Sequence, residues 1–205
     1  MPLCILLSDG GFAYLCALIV FNNIMDDLDG ILAKKLRLRS DFGAGMDNVC
    51  DAIAHILIAM VVGVHHGGIV LVFSLLASVA IIVRVVQRIE PSPTSGNGTP
   101  TNELMRHLLL VSVLQGLYGF DITAYLIVVL LLNSVSMLVP FAMPQLVRSR
   151  AKSITTVVLV NVALVLAWSI PAAAPFVAAA FFGTYLYSFA LGGLKWLGHR
   201  GHTLF

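Results

Sequence analysis

The feature that most limits what this chain can become is its set of long uncharged apolar runs, among them Gly67 to Val83, Leu108 to Phe120 and Ile122 to Val147. Runs of this length suit helices that cross about 30 Å of hydrocarbon, the thickness of a bilayer core. In lipid every backbone polar group must be satisfied inside the protein, which a helix does within its own segment. Composition agrees: 59% of the 205 residues are hydrophobic and only 11% are charged, against roughly a quarter charged in soluble domains. The chain is therefore expected to be one all-α, polytopic membrane domain spanning residues 1–205.

Helices are expected at about 11–29, 46–64, 68–89, 104–119, 122–147, 153–170 and 173–196, giving seven crossings. The breaks between them carry turn chemistry: His65-His66-Gly67-Gly68, the run Pro91 to Pro100, Gly116 to Asp121, Arg148 to Lys152 and Ser169-Ile170-Pro171. Residues 91–102, rich in Pro, Ser, Thr, Gly and Asn, form the one long loop and have too little apolar content to pack. Basic residues fall in alternate loops: Lys34, Lys35, Arg37 and Arg39, then Arg84, Arg88 and Arg106, then Arg148, Arg150 and Lys152. By the positive-inside rule these loops face the cytoplasm, with His65 and His66 on the other side. A net charge of +2 with no broad basic patch argues against a nucleic-acid partner. Cys4, Cys16 and Cys50 lack metal-ligand spacing and read as reduced packing residues. The N-terminus has no basic segment before its first apolar run, which Asp9 interrupts, so no cleaved signal peptide is expected.

Acidic residues are the most uneven feature of the chain. Six of the ten, Asp26, Asp27, Asp29, Asp41, Asp47 and Asp51, lie between positions 26 and 51. Ionisable groups within membrane segments cost at least about 2.5 kcal/mol each near a helix centre, which makes them functional candidates. The plain alternative is a solvated loop. Asp26 and Asp29 are three apart near the end of the first helix, and Asp47 and Asp51 are four apart at the start of the second. Each pair therefore shares a helical face, and two hairpinned helices can turn both pairs into one cavity. Four converging carboxylates repel one another unless divalent cations with oxygen ligands relieve them. Asp27 points about 100° away from Asp26 and Asp41 lies in the loop, so both are expected to be solvated.

From Asp26 the residues run Asp26-x-x-Asp29-Gly30-x-x-Ala33-Lys34, then eight residues, then Gly43-x-x-x-Asp47-x-x-x-Asp51. This resembles the signature of the CDP-alcohol phosphatidyltransferase family at every position but one, Lys34, where the family usually has Arg. The resemblance implies that Asp26, Asp29 and Asp47 hold a pair of Mg²⁺ or Mn²⁺ ions. Asp51, at the metal edge, would be the general base toward the acceptor hydroxyl. Gly30, Ala33, Lys34 and Gly43 match the positions that cradle the cytidine diphosphate. Lys34 keeps the positive charge of Arg without its planar bidentate fork, which bears on nucleotide affinity. The implied activity is transfer of a phosphatidyl group from CDP-diacylglycerol to a small alcohol with release of CMP. The expected setting is the cell (inner) membrane, with the site facing the cytoplasm and the protein a homodimer among membrane lipids. Family members usually carry a further helix and an interfacial segment before the motif-bearing helix. This chain has room for neither, so its natural start is expected to lie upstream.

Within the family, Ser40-Asp41-Phe42-Gly43 looks like a stretch found in phosphatidylserine synthases, and Ser136 to Pro144 is loosely similar to their proline-punctuated helix end. L-serine is thus the favoured acceptor, with phosphatidylglycerol phosphate or phosphatidylinositol phosphate synthase-type acceptors as the alternatives. His55, four residues beyond Asp51, can face the same cavity or be a packed helix histidine. Arg84 and Arg88 form an i, i+4 pair that can serve as a membrane anchor or meet an anionic group on the acceptor. Two readings from other classes compete. An intramembrane prenyltransferase also uses aspartate-rich motifs, but usually on well-separated helices. A cation transporter accounts for the acids and leaves Gly30, Ala33 and Gly43 unexplained.

Overall fold

A computed structural model describes residues 10–37, 40–89, 100–141, 143 and 154–201. A 3-10 turn at Gly11–Tyr14 leads into seven α-helices: α1 (Leu15–Lys35), α2 (Asp41–His66), α3 (Gly68–Ile89), α4 (Pro100–Tyr118), α5 (Thr123–Leu138), α6 (Ile154–Ser169) and α7 (Ala174–Gly201). No strand occurs among the described residues, and the all-α expectation holds. The greater part of the long Pro91 to Pro100 run, and the basic segment Arg148 to Lys152, lie outside the described residues.

Several boundaries differ from expectation: α4 begins at Pro100, within the stretch expected to be loop, α7 continues to Gly201, and two of the three further shifts have a local reason. The second helix starts at Asp41 rather than near 46 because Ser40 caps it: its Oγ accepts from the Gly43 N–H at 3.0 Å, satisfying one donor of the first turn. The first helix continues to Lys35, so Asp26 and Asp29 lie well inside it. The fifth ends at Leu138 instead of running to 147, with Val139 extended at ψ 144°, the conformation favoured immediately before a proline, here Pro140. The α2–α3 reversal passes through Gly67 and Gly68, both at positive φ (66° and 48°), a region where glycine avoids the penalty of a side chain. Before α5, the Thr123 N–H donates to Asp121 Oδ1 at 2.9 Å, and this backbone contact holds the Asp121 carboxyl below its ordinary range.

The core is organised around α4. Every residue from Thr101 to Val111 is buried, and α4 packs against α1, α2, α5, α6 and α7. Its ionisable groups are consequently paired inside the bundle. Arg106 Nη1 meets Glu103 Oε1 at 2.8 Å, with the two side chains 2% and 1% exposed. His107 stacks on Phe182 with ring centroids 4.4 Å apart, and its Nδ1 lies 3.0 Å from Asn133 Nδ2. The outer surface is the reverse. On α3, Val72, Leu75, Val79, Ile82 and Val86 are all about half exposed, an apolar face suited to lipid. Helices α2, α3 and α7 are long and apolar enough to cross a membrane, and α5 and α6 are shorter apolar helices. Close approach of α2 and α3 depends on Gly63, where a Cβ would fall 2.6 Å from that of Ser74.

Candidate active site

The acids of α1 and α2 meet where the two helices come together. Asp26, Asp47 and Asp51 each offer a carboxylate oxygen, and these atoms lie within 4.8 Å of one another. The spacing on each helix explains the convergence. Asp47 and Asp51 are one turn apart on α2, so both face α1, and Asp26 sits on the α1 side that faces back. Asp26 is 8% exposed, Asp51 is half-buried and Asp47 is exposed, so the cluster runs from the bundle interior to its surface. Unit charges this close repel one another, least where Asp47 is screened by solvent. Hard divalent cations are the natural complement to such an oxygen-only donor set.

Beside the cluster opens a cleft of about 470 Å³, lined by Asp29, Gly30, Ala33, Ser40, Asp41, Gly43, Ala44 and Asp47. Asp47 belongs both to the cleft and to the carboxylate cluster, which joins the two. Asp29 lines the cleft and is not one of the three clustered acids. The small residues have different causes. A Cβ on Gly30 would meet no protein atom within 4 Å, whereas one on Gly43 would come within 3.1 Å of the capping Ser40 Oγ. Protein packing therefore does not demand glycine at position 30, and the room it leaves opens on the cleft. Gly43 has a local reason in the α2 cap as well.

The remaining expected residues divide. His55 is 3% exposed, buried one turn beyond Asp51 on α2, and does not line the cleft. Arg84 is 7% exposed with its Nε lacking a hydrogen-bond partner, so it is not a surface anchor of the ordinary kind. The side chains of Lys34 and Arg88 lie outside the described residues. Asp27 requires a correction. It is half-buried rather than solvated, and its Oδ2 accepts from Asn161 of α6 at 2.7 Å and from Asn23 at 3.4 Å. Here α1 faces α6 across an apolar groove of about 320 Å³ whose lining includes Ile24, Leu28, Val158 and Val162. A lone carboxylate beside such a surface needs donors, and the two asparagines supply them.

Sequence reasoning missed Asn102. Its Nδ2 donates to Asp26 Oδ2 at 3.2 Å from α4, and the residue is 3% exposed. The available signal was an amide in the opening turn of a helix that also carries Glu103 and Arg106, which spacing alone could not connect to α1.

Clustered carboxylates opening on a small-residue cleft, within a bundle of apolar helices, define a helical membrane protein with a polar site between two of its helices. The chain matches the family model for CDP-alcohol phosphatidyltransferase over residues 1–114, more than half its length, and belongs to that family. No curated protein and no solved structure matches it. Membership makes it a transferase of phospholipid biosynthesis that moves a phosphatidyl group from a CDP-alcohol, in a family that uses divalent metals. The matched segment contains α1, α2, α3 and most of α4, and so includes every residue of the cluster and the cleft.

Proposed function

We propose that the chain transfers the phosphatidyl group of CDP-diacylglycerol to L-serine, using Mg²⁺ or Mn²⁺ held by Asp26, Asp29, Asp47 and Asp51. The observation that carries this reading is the junction at Asp47, where three carboxylates within 4.8 Å adjoin the cleft lined by Gly30, Ala33 and Gly43. An oxygen-only donor set fits two hard divalent ions, which when bound polarise the diphosphate and offset its charge. The cleft residues take the cytidine diphosphate, with Gly30 admitting it close to the backbone and Lys34 supplying a positive charge. Asp51 accepts the proton of the acceptor hydroxyl. The resulting oxygen attacks the phosphorus that bears the diacylglycerol, forming the new P–O bond. The bond from that phosphorus to the bridging oxygen breaks, and CMP leaves with the oxygen.

The serine carboxylate needs a cationic partner, and Arg84, buried with an unpartnered Nε, suits the role. Arg88, one turn further, is the second candidate. The same proposal places the site on the cytoplasmic face of the cell membrane, in a seven-crossing single domain that pairs as a homodimer. With the family shown, the prenyltransferase and cation-path readings have no separate support. The decisive experiment is CMP release from CDP-diacylglycerol by purified protein with serine, inositol phosphate and glycerol phosphate in parallel, with Mg²⁺ and with excess chelator. Serine is expected to be fastest, and chelator to abolish turnover. Faster release with either phosphate acceptor rejects serine alone, whereas full activity in chelator rejects the metal assignment.

A further inference from the structure

We infer that Asn102 is a positioning residue that orients Asp26 for cation binding, acting from a helix that supplies none of the three clustered carboxylates. The inference rests on the metal reading of that cluster. Asn102 Nδ2 donates to Asp26 Oδ2 at 3.2 Å across 76 residues of sequence. Its amide is itself oriented, because its Oδ1 accepts from Thr101 Oγ1 at 3.4 Å, leaving the NH₂ end toward Asp26. One turn further along α4, Arg106 Nη2 donates to Asn23 Oδ1 at 3.3 Å. Asn23 lies one turn before Asp26 on α1. Residues 102 and 106 of α4 thus pair with 26 and 23 of α1, two rungs between antiparallel helices that fix their axial register.

Register matters because a shift of one residue along α1 moves a side chain about 1.5 Å along the axis and about 100° around it. Such a shift would take the Asp26 carboxylate away from Asp47 and Asp51. The choice of an amide is also chemically apt. A neutral N–H donor orients an ionised carboxylate without neutralising it, whereas Lys or Arg at the same position would compete with a bound cation. Groups that hydrogen-bond metal ligands from behind typically change metal affinity 10- to 100-fold when removed.

The test is Mn²⁺ binding to the purified full chain in detergent, followed by electron paramagnetic resonance, beside thermal unfolding without metal. Asn102→Leu, which keeps much of the volume and removes the donor, is expected to weaken Mn²⁺ binding about 10- to 100-fold. Asn102→Gln, which keeps a donor, should recover part of that loss. In an Asp26→Asn background, Asn102→Leu should add no further loss, since its action runs through that carboxylate. A role in packing alone would lower the unfolding temperature and leave the Mn²⁺ affinity unchanged. Should the leucine variant fail to fold, Asn102→Ala removes the same donor with less steric demand and is read the same way. A folded donor-less variant that binds Mn²⁺ within about threefold of the unaltered chain overturns the inference and leaves the metal site standing. If the unaltered chain itself binds no Mn²⁺, the metal reading fails and takes the inference with it.

Discussion

Two polar regions lie inside this apolar bundle, and they are built on opposite plans. On α4 the ionisable groups face inward and one another: Arg106 is paired with Glu103, both almost fully buried, and reaches Asn23. On α1 and α2 acids converge on acids, and Asp47 opens them onto a cleft. In the α4 cluster each charge has an opposite charge beside it, although Glu103 Oε2 and Arg106 Nε find no hydrogen-bond partner. Acids gathered beside an open cleft, with Asp47 exposed, offer oxygen ligands to a group from outside the chain, which is the physical mark of a ligand site. The same kinds of residue thus serve structure in one place and chemistry in the other.

The largest expected effect tests the open region. Asp51→Asn should lower turnover by about 10²- to 10⁴-fold, the usual contribution of a general base, while CDP-lipid binding stays within a few-fold. Asp47→Ala, at the junction of cluster and cleft, should lose binding and turnover together. Near-normal turnover of Asp51→Asn at saturating metal and lipid would remove the base assignment.

The enclosed region should respond mainly in stability. Arg106→Ala leaves Glu103 buried without its partner, and is expected to destabilise the fold by about 3–5 kcal/mol in thermal or denaturant unfolding. Replacing both members, with Arg106→Met and Glu103→Leu, should restore most of that loss. If the double replacement proved as unstable as the single one, the pair would be doing more than balancing charge.

Gly30→Ala separates the two plans at a single methyl group. No protein atom lies within 4 Å of the added Cβ, and alanine in place of a mid-helix glycine favours the helix by roughly 0.5–1 kcal/mol. Stability should therefore hold or rise. Gly30 lines the cleft, so if the methyl narrows it, KM for the CDP-lipid should rise about tenfold, or about 1.4 kcal/mol of lost binding. An unchanged KM would mean that the nucleotide does not pass this close to α1.

The smallest effect concerns Arg84, buried like Arg106 and, like it, with an Nε that finds no hydrogen-bond partner. Arg84→Met should raise KM for serine about fivefold, or about 1 kcal/mol, with less change for the CDP-lipid. An equal rise for both substrates would assign Arg84 to packing rather than to the acceptor.

Much of this was legible in the residues. The apolar runs announced helices and the turn residues marked most of their ends. Gly67-Gly68 closes α2 in the structure as its composition indicates, and the same holds for the break at Ser169-Ile170-Pro171. The end of α5 before Pro140 was equally readable, because a proline disfavours helix in the residue before it, but the continuing apolar pattern to 147 obscured it. The status of Asp27 was not readable. Helical geometry correctly turned it away from Asp26, and nothing local indicated that α6 would bring Asn161 to meet it.

By itself the sequence determined that this protein is helical, suited to a membrane, and equipped with acids at one-turn spacing, because hydropathy, turn chemistry and helical periodicity act over a few residues. Its signature spacing was sufficient to place it in its family. Helix packing is what gathers Asp26, Asp47 and Asp51 into one cluster while Asp29 lines the cleft. Only the tertiary structure decided that α4 runs through the centre and that Asn102 and Asn161 reach α1 across 76 and 134 residues. Those outcomes depend on how helices pack and in what register, and contacts between such distant residues leave no periodic trace in the chain.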